Sequence, residues 1–211
     1  MNKAIVDLLS IAGPSVCLHG EGELARHNLR GVSEDLQELL AAKNGFYAFD
    51  SSLLVRPLQN ATAPFGLLEW NNRSLWKYEF DEPYEDFTFF AEDIFGVQYC
   101  VQQSDIYVFD PETGIFEILC NSIGDWANII IQDVNFRTGA LIAKEWQNKY
   151  GKIQPGSRLL PKKPFVLGGG YEIENLYLCN ELEGMRFRAC IAKQIRDLPD
   201  GSEVIVDATR K

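Results

Sequence analysis

The sequence predicts an α+β fold: a central antiparallel sheet of four to six strands arranged as a meander, flanked by helices, with a C-terminal strand–helix–strand extension. Three observations predict it. Residues 86–120 break into short strand-like runs whose connections are too tight for a helical crossover. The segments on either side carry apolar residues at helical spacing. The chain has 211 residues and is 46% hydrophobic, which is enough to bury a substantial core.

The elements follow in order. MNKAIVDLLSIAG reads as a short amphipathic helix, and Asp7 interrupts its apolar run in a way that disfavours a signal peptide. In GVSEDLQELLAAKNG, Ser33 is placed to cap a helix, Glu34 and Asp35 suit its positive end, and Leu36, Leu39 and Leu40 share one face. Asn44-Gly45 stops that helix. FYAF reads as a short strand, and residues 50–78 as irregular chain with one further short strand near Gly66–Trp70. FTFFA is apolar on both faces, the pattern of a strand covered on both sides. EDIFG, residues 92–96, reads as a hairpin connection in which Gly96 is free to take positive φ. VQYCVQ alternates, DIYVFD follows two residues later, DPETG is a strong turn, and IFEILC is the returning strand. Ser122 then opens a helix, with Asp125 three residues on in capping-box position and Trp126, Ile129, Ile130 and Val134 in line. LIAKEWQNKY is a second helix, ending at Gly151. QPGSRLLPKKPF reads as a basic, Pro-rich loop. The tail reads as a strand (ENLYLC), a helix over Met185–Leu198 with Phe187, Ile191, Ile195 and Leu198 in line, a Pro-Asp-Gly turn and a strand (EVIVDA). This organisation is one α+β domain over 1–135 and an extension over 136–211 packed on it, with no internal repeat.

Composition narrows the function classes. The five cysteines stand singly, three of them in apolar segments, which favours reduced, buried thiols and a cytoplasmic setting. His19 and His27 have no cysteine at ligand spacing, so no metal site is expected, and no cofactor motif is present. Gly168–Gly170 precedes a strand and lacks a following GK[ST], so it reads as a turn rather than a phosphate loop. No apolar run approaches the roughly 20 residues that span a bilayer, so no membrane partner is expected. The net charge is -10, and from Tyr78 to Phe136 there are thirteen acids and no Lys or Arg. Such a one-sign segment disfavours direct nucleic-acid binding and attracts a basic protein partner. Arg186, Arg188, Lys193 and Arg196 read as a solvated face of the tail helix, and the four tryptophans as core.

Within the acidic segment the candidate partner-binding residues are Asp81, Glu82, Glu85, Asp86, Glu92, Asp93, Asp105 and Glu112. Glu92 and Asp93 are adjacent, and adjacent side chains of an extended chain point to opposite faces. They therefore make a poor general acid/base pair, which needs both carboxylates at one site. No catalytic residues are assigned.

Three pieces in order resemble the SUKH superfamily: the helix closing on Asn44-Gly45; Phe90-Ala91-Glu92-Asp93 followed by Phe95-Gly96 and Gln98-Tyr99; and Phe109–Gly114 followed by Ser122 and Trp126. The resemblance covers about residues 32–131, and departs from the family's usual Leu-Pro at the first helix, where Val32-Ser33 stands. It implies a non-enzymatic binding function. Bacterial members are regarded as immunity proteins of polymorphic toxin systems, many directed against nucleases, whose basic clefts suit an acidic blocker. The eukaryotic members imply the alternative, a regulatory module binding a cellular protein. The remote alternative is an uncharacterised hydrolase.

Overall fold

Six strands form one antiparallel sheet in strict sequence order: β1 (Phe46–Ala48), β2 (Leu53–Val55), β3 (Thr88–Asp93), β4 (Gln98–Gln102), β5 (Asp105–Asp110) and β6 (Ile115–Cys120). The computed structural model describes residues 1–17, 33–81, 84–199, 201, 202 and 204. The expected α+β class and the meander over β3–β6 are both present, with two further strands on the β3 side.

The two faces of the sheet bury different clusters. On one face lie α1 (Lys3–Ile11), α2 (Glu34–Ala42) and α4 (Ile123–Gln132), and Phe46, Val55, Phe90, Tyr99, Val101 and Ile106 meet Trp126 and Ile130 there. The other face buries an aromatic cluster in which Trp76 packs edge-on against Phe89 at 4.9 Å. Phe89 and Phe90 thus reach opposite cores, which is why FTFFA is apolar on both sides. Ser33 accepts the Leu36 N–H at 3.3 Å and Ser122 the Asp125 N–H at 3.0 Å, so both expected caps are made, each contributing about 1 kcal/mol. Asp125 departs from the usual capping box, because its carboxylate takes the Ser122 hydroxyl at 2.7 Å.

Four expectations are corrected. Residues Leu67–Trp70 form a helical turn, α3, and no strand. The Asn71 amide beside it supplies what a strand would, donating to Phe89 O and accepting from Phe89 N, both at 2.8 Å. β3 runs on through Glu92 and Asp93, so the turn is 94–97 and Glu92 pairs with Leu54 and Gln98 in the ladder. The helix expected to run from Ser122 through Val134 breaks at Asp133, and α5 (Val134–Thr138) and α6 (Ala140–Tyr150) follow.

The fourth correction concerns the extension. The Pro-rich segment contains β7 (Ser157–Pro161), antiparallel to β8 (Leu176–Asn180), and α7 (Glu181–Ile195) follows β8 directly. Of α7's expected apolar row only Ile191 is fully buried, and Leu198 lies beyond the helix and is exposed. Gly184, Met185, Ala189 and Ala192 form the packed face, because small residues let the helix lie close, with Gly184 against Leu160. Most of EVIVDA lies outside the described residues. β7 meets the main sheet's turn directly, Leu159 N donating to Ile94 O at 2.8 Å.

Candidate functional site

Glu92 and Asp93 sit side by side at the end of β3 and meet opposite surroundings. Glu92 faces the aromatic side and is 1% exposed. Its Oε2 accepts from Arg56 Nη2 and Gln98 Nε2, and its Oε1 from Arg158 Nε, all at 2.7 Å. Arg56 also donates from Nη1 to Glu181 at 2.9 Å, and its guanidinium lies 3.6 Å from the centre of the Trp70 ring. Two acids and two guanidinia therefore balance in a buried interior, drawn from the residue after β2, from β3, from β7 and from the first residue of α7. Burial alone would raise the Glu92 carboxyl, but Arg56 and Arg158 together outweigh it and hold it below the usual range. Glu181, paired with Arg56 and with Glu92 nearby, is instead raised, chiefly by burial.

Asp93 faces the other way. Its Oδ1 accepts the backbone N–H groups of Phe95 at 2.8 Å and Val97 at 2.9 Å, which fixes the turn. Gly96 sits in that turn at φ +75, and a Cβ there would stand 2.4 Å from Nη2 of the buried Arg188. Arg188 braces the turn from below, donating to Phe95 O at 2.5 Å and Gly96 O at 3.2 Å. Asp93 is buried with no guanidinium bonded to it among the described residues, and burial pushes its carboxyl up to about 7.

Asp93 lines a cavity of about 410 Å³ on the sheet face that α4 covers, beyond that helix's C-terminal end. Phe95, Tyr99, Glu117, Phe136 and Tyr171 line it as well. The cavity continues along the sheet past Val97 and Val108 to Asp110 and Ile115, making a groove among the described residues. Tyr171 stacks on Phe165 at 4.1 Å, and both pack edge-on against Phe95. Three apolar side chains at the groove are largely exposed: Phe136 at 75%, Ile115 at 57% and Tyr171 at 55%. A groove of this composition, apolar walls with a few convergent polar groups, is built for binding.

The expected acidic surface is only partly there. Glu92, Asp93 and Glu112 are buried and add little to the outer charged surface. The reason differs for each: Glu92 is committed to two arginines, Asp93 to the turn, and Glu112 to Val166 N at 2.9 Å. Asp81, Glu85 and Asp86 are exposed and Asp105 is partly so, while Glu82 lies outside the described residues. Asp81 and Glu85 are paired with Lys193 and Arg73, each at 3.0 Å. Arg188, read as solvated from sequence, is a buried brace, whereas Arg186 and Lys193 are exposed. Trp70, Trp76 and Trp126 are fully buried. The partners Arg56, Arg158 and Glu181 carry no local motif; a Glu opening a helix next to a buried aromatic core is the faint signal that Glu181 gave.

Among the described residues no group of three or more His, Cys, Asp or Glu is placed to hold a metal ion, and His19 and His27 lie outside them. No helix among them is long and apolar enough to cross a membrane. No protein-family model matches the chain, and a search of curated proteins finds no match. Among solved structures, the crystal structure of Atu4351 from Agrobacterium tumefaciens is similar at a TM-score of 0.54, with 13% identity over 86% of each chain. At that identity the likeness concerns the fold, an α+β architecture around an antiparallel sheet.

Proposed function

We propose that this chain is a non-enzymatic protein-binding domain of the SUKH immunity type, which acts in the cytoplasm by blocking a basic, nuclease-type toxin. The observation that carries the binding reading is the groove beside Asp93, where Phe136, Tyr171 and Ile115, exposed among the described residues, flank the sheet. Apolar side chains gathered around a concave site mark an interaction surface more often than scattered ones do. The toxin reading rests on the sequence resemblance and on charge: Asp81, Glu85, Asp86 and Asp105 remain accessible in a chain of net charge -10. Such a field speeds encounter with a cationic cleft and makes it salt-sensitive.

Co-expression with the product of each adjacent reading frame tests this. A neighbour that is toxic alone, binds this protein and is silenced by it is the expected result, with association slowing as ionic strength rises. A constitutive partner recovered with no toxic neighbour would favour the regulatory alternative, and activity lost on changing one carboxylate with the fold intact would overturn both.

A further inference from the structure

The groove's chemistry says which part of a partner it takes. Asp93 is more than nine-tenths buried, and its Oδ1 is consumed by two backbone N–H groups. Its Oδ2 receives no hydrogen bond from the described residues, although the residue lines the cavity. That oxygen lines the groove, where a donor entering from outside can reach it and a charged donor makes the stronger bond. Glu117 lies along the same wall and Asp110 farther along the groove. Arg137 is the one cation among the lining residues, and its guanidinium lies 5.0 Å from the Phe136 ring centre. The groove is thus net negative at its floor and aromatic at its walls, where Phe95, Tyr171 and Phe136 can cover an aliphatic stem and face a cation. A 410 Å³ volume has room for one long side chain entering from a backbone held at the rim.

From this geometry we propose that the groove receives a lysine or arginine side chain of the protein partner, which reaches Asp93 past the aromatic walls while Glu117 guides its entry. The inference rests on the protein-binding reading and deepens it by naming what the partner inserts. It moves the specific contact away from the exposed acids Asp81, Glu85 and Asp86 to a site whose lining does not include them.

The test is titration of isotope-labelled protein, followed by amide NMR, with three capped tripeptides, Gly-Arg-Gly, Gly-Lys-Gly and Gly-citrulline-Gly. Saturable shifts at Phe95, Val97, Gly139 and Tyr171 are expected with one or both cationic peptides and not with the neutral citrulline peptide. Asp93→Asn keeps the acceptor for the turn and should weaken binding about tenfold to a hundredfold. Glu117→Gln, at an exposed position, gives a smaller loss and keeps the test alive should the first variant fail to fold. Equal shifts with citrulline, shifts elsewhere on the protein, or indifference to both variants would overturn the inference. A partner protein that binds wild type and both variants equally would sink this inference and leave the protein-binding reading standing. Groove-centred peptide binding, with every protein partner failing to bind, would do the reverse.

Discussion

Glu92 and Asp93 are consecutive carboxylates on one strand, both buried, and they have opposite fates. Glu92 meets two guanidinia and a glutamine amide, so its charge is the hub that ties the C-terminal extension to the sheet. Asp93 meets two backbone N–H groups on one oxygen, and its other oxygen has no donor among the described residues. Burial by itself therefore says little about a carboxylate's role; the charge that completes it, or is missing, says more. One acid is satisfied within the fold and the other is left for something outside it.

Removing the Glu92 charge should break the comparison hardest. Glu92→Gln leaves Arg56 and Arg158 buried with Glu181 as their remaining acid, and we expect a loss of about 3–5 kcal/mol in urea unfolding. Gly96→Ala, at the turn both acids flank, forces a side chain into positive φ and against Arg188, and should cost about 2–3 kcal/mol by the same measurement.

Acidity sharpens the contrast, because the two groups act with opposite sign. The Asp93 carboxyl is raised to about 7 in the folded chain, so the folded state binds its proton more tightly than the unfolded state does. Its contribution is complete at low pH and is lost as pH rises from its unfolded value, about 4, through 7. The Glu92 carboxyl is lowered, so its contribution is present above the unfolded value and is lost as pH falls. Asp93→Asn should therefore gain about 1–2 kcal/mol over wild type at pH 8, a gain that vanishes near pH 4 in unfolding curves across that range. Reversal of Glu85, Asp86 or Asp105 to Lys should change stability by no more than about 0.5 kcal/mol while slowing partner association at low salt.

How much of this was legible depended on the range of the interaction. Strand alternation, DPETG and the Ser33 and Ser122 caps act within a few residues, so the meander and its bounding helices could be read directly. The opposed directions of Glu92 and Asp93 followed from strand geometry alone. Their partners did not: Arg56, Arg158 and Glu181 come from 36, 66 and 89 residues away in sequence from Glu92, and nothing local marks them. β7 was hidden because Pro155, Pro161 and Pro164 punctuate it, and its pairing with β8 is what makes it a strand. The acidic run looks like a surface in sequence because charge adds up along the chain, while burial is decided across it. The groove lay beyond sequence reading, since β3, β4, α5 and the segment around Tyr171 meet there only in the fold.

The most direct measurement of the central claim is a side-chain carboxyl NMR titration of both residues in one sample. Asp93 should titrate near pH 7, and Glu92 should stay ionised to well below the ordinary glutamate range. Parallel titration of the two in the ordinary carboxylate range would contradict the account, for it would mean that neither acid is held as described and that no carboxylate in the groove waits for a cation.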